Sequence, residues 1–161
     1  MPGKKYYPGK MIHLLLAGIF FLSAAVQAAE SVKLGLNYPS TGRYKQQGLA
    51  QARGALMAVD EINTSGGVLG RPLELLTANS ASKPDKSVEN VKELAAQGVS
   101  MLFGGSSSAV AIAAGKEAAR HNLIYFGTLT YANETTGSEG HRHMFRETYN
   151  AHMAAKALAA Y

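Results

Sequence analysis

The sequence predicts an α/β fold, a parallel β-sheet with helices on both faces. Three observations carry this. Short apolar stretches of strand length alternate with amphipathic stretches of helical period. Glycine, proline or a serine cluster marks most of the transitions. The resulting order (strand, helix, strand, helix, strand, helix, strand) needs crossover connections, which are the connections of parallel sheets. The 161 residues, 47% apolar and 17% charged, suit one domain of this kind rather than two.

Residues 31–37 (SVKLGLN) alternate polar and apolar and read as the first strand, which Pro39-Ser40-Thr41-Gly42 breaks. From about residue 45 to 63 the apolar positions are Ala52, Ala55, Leu56, Val59 and Ile62, one face of a helix. Gly66-Gly67 stops it. Residues 71–78 (RPLELLTA) read as a second strand, with Pro72 tolerated at its start. A second helix begins at Ser82-Lys83-Pro84-Asp85, shows Val88, Val91, Leu94 and Ala95 on one face, and ends at Gly98. Residues 100–103 give a third strand, 107 to about 120 an alanine-rich helix, and 123–126 a fourth strand. Residues 127–143 read as loop, 144–146 as a short strand, and 151–161 as the start of a further helix.

The first 28 residues stand apart. Lys4, Lys5 and Lys10 precede an apolar run at 14–22 (LLLAGIFFL), and small residues lead to Ala28. A basic start, a short apolar stretch and a small-residue exit form a secretory signal peptide. Val26 and Ala28 fit the cleavage pocket, so the cut falls after Ala28 and the mature domain is 29–161. A membrane anchor would need about 20 apolar residues; Ser23 and Gln27 interrupt this run too early. Removing three of the 16 basic residues and none of the 11 acidic ones lowers the net charge from +5 to +2. The basicity is mostly export signal, which argues against a nucleic-acid partner. Cysteine is absent, so there is no disulfide framework and no cysteine-based metal site. An exported protein of the bacterial periplasm is the simplest reading.

Open parallel sheets bind ligands outside the carboxyl ends of their strands, at a switch point in strand order. That rule selects the loops 39–47, 104–108 and 127–131. The richest is in FGGSSSAVAIAAG (103–115), where Gly104 and Gly105 allow a tight turn and one of Ser106, Ser107 and Ser108 should cap the helix. Two readings stay open: plain capping, or the holding of a carboxylate or other anion on the first free N–H groups. A serine hydrolase is disfavoured because a nucleophile elbow needs G-x-S-x-G and residues 104–108 read G-G-S-S-S. Neither phosphate-loop motif is present. His141 and His143 could share an ion, but no third ligand stands near and Arg142 opposes a cation, so they read as solvated loop residues. Tyr131 and Tyr149 could each stack on a ligand or pack at the sheet edge, and packing is favoured for either alone.

The stretch VKLGLNYPSTGRYKQQGLAQARGALMAVDEINTSGGVLGRPLELL (32–76) resembles the opening of periplasmic solute-binding proteins of the leucine/isoleucine/valine type, which serve ATP-binding-cassette (ABC) importers. SKPDKSVENVKEL, MLFGGSSSAVAIAAGKEAARHNLIYFG and MFRETYN extend the resemblance over essentially all of the mature chain. It implies the type I periplasmic-binding fold, a two-lobed clamp in which each lobe wraps helices around a parallel sheet. It implies that Ser108, with Ser107 beside it, contacts a ligand carboxylate, and that the 127–131 loop, with Leu129, Thr130 and Tyr131, adds polar contacts. An aromatic residue usually covers the ligand from the first loop. Gln47 stands at that place here, with Tyr44 as the nearby substitute, and Tyr131 replaces a threonine. FGTLTY is also similar to the corresponding loop of urea and short-chain amide binders, so an amino acid and an amide- or urea-like solute both fit.

The resemblance thus implies the substrate-binding component of an ABC importer, with a small polar solute and a membrane permease as partners. It implies no enzyme, no cofactor and no metal. A ligand-sensing domain feeding a regulator or receptor is the alternative on the same fold. Family members are much longer, so the chain reads as an N-terminal lobe truncated inside its fourth helix. One lobe offers an open shelf, and weak binding is expected of it.

Overall fold

The computed structural model of the protein describes residues 30–161. The segment that reads from the sequence as a signal peptide, with its expected cleavage point, lies outside the described residues. Strands and helices alternate: β1 (Val32–Tyr38), α1 (Lys45–Thr64), β2 (Leu73–Asn79), α2 (Pro84–Ala96), β3 (Met101–Gly105), α3 (Ser108–Arg120), β4 (Ile124–Thr128), a 3-10 turn (Asn133–Thr136), β5 (Met144–Arg146) and α4 (Ala151–Ala159). The strands form one sheet in the order β2-β1-β3-β4-β5, and every pair is parallel. The second strand starts two residues later than the sequence suggests. Arg71 is held back by a reciprocal backbone pair with Val68, which closes a turn ahead of the strand.

The register aligns Gly35, Leu102, Tyr125 and Met144 across β1, β3, β4 and β5. This row faces α2 and α3 and forms the core with Val91, Leu94, Ala111, Ala114 and Ala118. Small side chains on α3 let the helix lie close to the sheet, and the full side chains come from the strands. The sequence places Val88, Val91, Leu94 and Ala95 on the inner face of α2. Val91 and Leu94 are buried there, Val88 and Ala95 are half-buried, and Ser87 and Asn90 turn inward as well. The reason is Asn37, fully buried at the carboxyl end of β1. Its amide donates to the Ser87 carbonyl at 3.0 Å and to Ser87 Oγ at 2.7 Å, and Asn90 Nδ2 donates to Asn37 Oδ1 at 3.0 Å.

The opposite face carries Leu34, Leu36, Phe103, Phe126 and Phe145. The three phenylalanines stack across β3, β4 and β5, with centroids 5.7 and 5.3 Å apart. Helix α1 lies on this side. Its first turn meets the loop after β1 at Gly48, where a Cβ would come within 2.1 Å of the Pro39 carbonyl oxygen. Past that turn, Ala52, Ala55 and Val59 are only half-buried, and Ile62 is exposed. Leu56, expected on the inner face, is 57% exposed, because it lies to one flank of the stripe through Gly48, Ala55 and Val59. An apolar cavity of about 550 Å³ remains between helix and sheet, lined among others by Leu36, Val59, Leu75 and Phe103. Among the described residues, no helix is long and apolar enough to cross a membrane.

Candidate functional site

The chain leaves β1 toward β2 and returns across β1 to β3, so strand order reverses between β1 and β3. The loops after β1, β3 and β4 meet there and enclose a cavity of about 290 Å³ lined by Tyr44, Gln47, Ser106, Ser107, Ser108, Leu129 and Tyr131. This is the place that the switch-point rule assigns to a ligand.

The floor comes from the turn after β3. Gly104 and Gly105 hold φ of +146° and +139°. A Cβ on Gly104 would sit 1.9 Å from the Asn37 carbonyl oxygen, so β1 and β3 approach too closely for any side chain. Ser106 follows at φ +60°, a left-handed conformation that a residue with a side chain adopts only at a cost. Its N–H donates to the Thr128 carbonyl at 2.9 Å, which ties this turn to the end of β4. Its side chain is 6% exposed, and its buried Oγ has no hydrogen-bond partner.

Ser107 occupies the N-cap position of α3 with extended backbone, and its carbonyl accepts the Ala111 N–H at 3.0 Å. The sequence predicts that a serine hydroxyl caps this helix. In the structure the cap position is filled but the Ser107 hydroxyl makes no capping bond. The first N–H groups of α3 have no carbonyl partner within the helix and receive no side-chain cap. They present a partial positive charge to the cavity. Ser108 Oγ accepts the Ala132 N–H at 3.0 Å, which leaves its own proton to donate elsewhere.

The loop after β4 forms one wall. Leu129 sits at φ +53°, and its N–H donates to Glu147 Oε1 at 2.8 Å. Tyr131 is 41% exposed, and its ring lies 5.2 Å from that of Tyr149 at an interplanar angle of 41°. The other wall is Tyr44, whose N–H donates to Ser82 Oγ at 3.0 Å and whose ring has the Arg43 guanidinium 5.5 Å above it, with Gln47 one turn further on.

Six of the seven residues read from the sequence therefore line one cavity: Tyr44, Gln47, Ser107, Ser108, Leu129 and Tyr131. Thr130 does not. It is fully buried, its hydroxyl donates to the Gly127 carbonyl at 3.3 Å, and its own carbonyl accepts from Thr148 Oγ1 at 3.2 Å. The left-handed turn at Leu129 directs Thr130 under the wall instead of into the cavity. Ser106 is the lining residue that sequence reasoning left undistinguished within its serine cluster; only its backbone angle and unpaired hydroxyl single it out. No aspartate, glutamate, lysine, arginine or histidine lines the cavity.

The histidines before β5 are half-buried and hydrogen-bonded. His143 donates its N–H to His141 Nδ1 at 3.3 Å, and its Nε2 lies 3.1 Å from Asn122 Oδ1. His141 packs beside Gly115, whose missing side chain leaves room for the Met144 sulfur, 2.6 Å from where a Cβ would sit. Among the described residues, no three histidine, aspartate or glutamate side chains converge on a metal position.

The sequence model of the periplasmic binding protein family matches residues 31–161. The chain belongs to the periplasmic binding protein family. It is similar to the Leu/Ile/Val-binding protein homolog 8 of Brucella suis, 34% identical over 140 residues that cover 86% of this chain and 34% of that protein. Among solved structures it resembles a branched-chain amino acid transporter substrate-binding protein of Streptococcus pneumoniae in complex with isoleucine. There the TM-score is 0.71 at 25% identity, over 75% of this chain and 34% of that one. A leucine-, isoleucine-, valine-, threonine- and alanine-binding protein of Brucella ovis gives a TM-score of 0.71 at 29% identity, over 76% and 33% of the two chains. This periplasmic binding protein thus spans about a third of the length of these relatives. All three are named as binding proteins and none as an enzyme, which agrees with the absent nucleophile elbow.

Proposed function

We propose that this chain is the ligand-receiving N-terminal lobe (29–161) of a periplasmic receptor that delivers a small carboxylate-bearing solute to an ABC importer. A signal peptide cut after Ala28 carries it across the inner membrane, and a membrane permease takes the loaded receptor. The relatives' names, which specify leucine, isoleucine and valine, support a solute of the amino-acid kind. The observation that carries the reading is the uncapped start of α3 at the switch-point cavity. The free N–H groups of the first turn and the Ser108 hydroxyl border one small space that Ser106 also lines. Such a constellation holds a carboxylate by charge-assisted hydrogen bonds without a formal cation. Binding and release need no bond to form or break.

Calorimetric titration of the full chain with leucine and with acetamide tests this. Carboxylate binding that is lost in Ser108→Ala supports the reading. Amide binding that survives loss of the α3 contacts, or no binding at all at millimolar solute, contradicts it. Terminal sequencing of the periplasmic fraction tests export, with Ala29 as the expected first residue.

A further inference from the structure

The loop after β2 lines neither cavity, yet its backbone is strained. Ala81 and Ser82 hold φ of +49° and +61°, the one place among the described residues where two non-glycine residues in succession are left-handed. Each carries a steric cost for a residue with a Cβ, and such a turn persists only where its surroundings over-determine it. Here the surroundings are the loop after β1. Asn79, at the end of β2, is the hub. Its Oδ1 accepts the Ser40 N–H at 3.0 Å and the Ala81 N–H at 2.9 Å, and its Nδ2 donates to Thr41 Oγ1 at 2.9 Å. Gly42 lies against the Ala81 carbonyl, where a Cβ would clash with the oxygen. Ser82 Oγ accepts the Tyr44 N–H at 3.0 Å. Both left-handed residues therefore engage the stretch 42–44.

Tyr44 is the residue that this stretch delivers to the cavity at the strand ends. Its backbone is held on both sides: Ser82 takes its N–H, and its carbonyl accepts the Gly48 N–H at 2.9 Å in the first turn of α1. We infer that the loop after β2 is a template for the Tyr44 wall, with Asn79 and Ser82 as positioning residues that set solute affinity through Tyr44 without touching the solute. The inference rests on the solute-binding role proposed above and goes beyond it, because neither residue lines the cavity. A wall fixed before the solute arrives lowers the ordering cost of binding. Bonds that served the fold alone would affect stability and leave the affinity of the folded protein unchanged.

Amide-resolved NMR of the full chain, titrated with leucine, tests this, since it reads the loop, the core and binding together. In Ser82→Ala the Tyr44 amide is expected to exchange with water roughly three- to tenfold faster, the span of one net hydrogen bond, while the Leu102 amide in the core keeps its protection. Leucine affinity, read from the amides of Ser107 to Ala109, falls by a similar factor. Tyr44→Ala also weakens binding, and adding Ser82→Ala to it changes affinity by less than about twofold, because the wall that Ser82 sets is gone. Asn79→Ala behaves as Ser82→Ala in both backgrounds. Leucine bound as tightly by Ser82→Ala and Asn79→Ala as by the parent protein overturns the inference and leaves the solute-binding role standing. So does a loss of affinity that persists undiminished in the Tyr44→Ala background, or one that comes only with lost protection at Leu102. If leucine shifts none of the α3 amides in any variant, both readings fall.

Discussion

The Ser108 hydroxyl accepts the Ala132 N–H at 3.0 Å and so fastens the N-terminus of α3 to the loop after β4. One side chain thereby joins two of the three loops that form the cavity. Removing it as Ser108→Ala leaves a part-buried N–H unpaired, at a cost of about 1 kcal/mol. It also removes a donor from the carboxylate cradle. The expected outcome is a modest fall in the denaturation midpoint with at least tenfold weaker solute binding. A variant of wild-type affinity would place the carboxylate elsewhere.

The Asn37–Ser87–Asn90 network makes a separate prediction about the frame beneath the site. Asn37 is fully buried, and Asn37→Ala strands the Asn90 amide and the Ser87 hydroxyl away from water. A loss of about 2–3 kcal/mol is expected from two unsatisfied groups. Because the three side chains act as a unit, adding Ser87→Ala should cost far less than its effect alone. Urea unfolding of the two single variants and the double variant measures this, and simple additivity would contradict a coupled network.

The strand and helix order was legible because the parallel sheet is buried on its α2 and α3 side, and Leu102, Tyr125, Val91 and Leu94 carry the expected apolar pattern. The loops of the site were legible because topology fixes where strand ends meet. Two features were not. Leu56 belongs by spacing to the inner face of α1, but a periodic pattern does not reveal how closely a helix approaches its sheet. The left-handed turns at Ser106 and Leu129 decide which side chain enters the cavity and which is sent beneath it. Neither residue type signals such a turn as glycine does, so the sequence points to Thr130 as a contact and does not single out Ser106.

The pH dependence of stability should be set first by His141. Burial holds its ring below the usual histidine value, the charges of His143 and Lys116 act the same way, and a hydrogen bond to the Gly115 backbone works against them. Lys116 is itself paired with Glu139. The folded state therefore binds this proton less readily than the unfolded chain, whose ring titrates near 6.5. The stability gained from the neutral ring is complete above about pH 6.5 and is lost as pH falls through the lower folded value. Protonation would also remove the Nδ1 lone pair that accepts the His143 N–H. Glu117 acts in a lower window. Burial raises its pKa, but the Arg120 and His121 bonds outweigh this, so its contribution fades only below about 4.5. Melting curves between about pH 7 and 5 should show a falling midpoint, flatter in His141→Asn. Equal slopes in the two proteins would remove His141 as the cause.

Ser106 couples stability to binding in opposite directions. Its left-handed backbone costs about 1–2 kcal/mol for a residue with a side chain. Its unpaired buried hydroxyl costs about 1–3 kcal/mol more in the empty protein. Ser106→Gly removes both penalties and adds only the larger entropy loss of glycine on folding, about 0.5–1 kcal/mol. The expected result is a protein about 1 kcal/mol or more stabler than wild type by urea unfolding. The same substitution loosens the backbone that sets the Ser107 and Ser108 amides at the cavity, so affinity for the solute should fall by several-fold. A variant that is stabler and binds as well as wild type would show that the strained Ser106 backbone is not needed by the ligand. A less stable variant would show that Ser106 has a structural partner after all. Stability rising while affinity falls is the signature of a residue kept strained for its ligand.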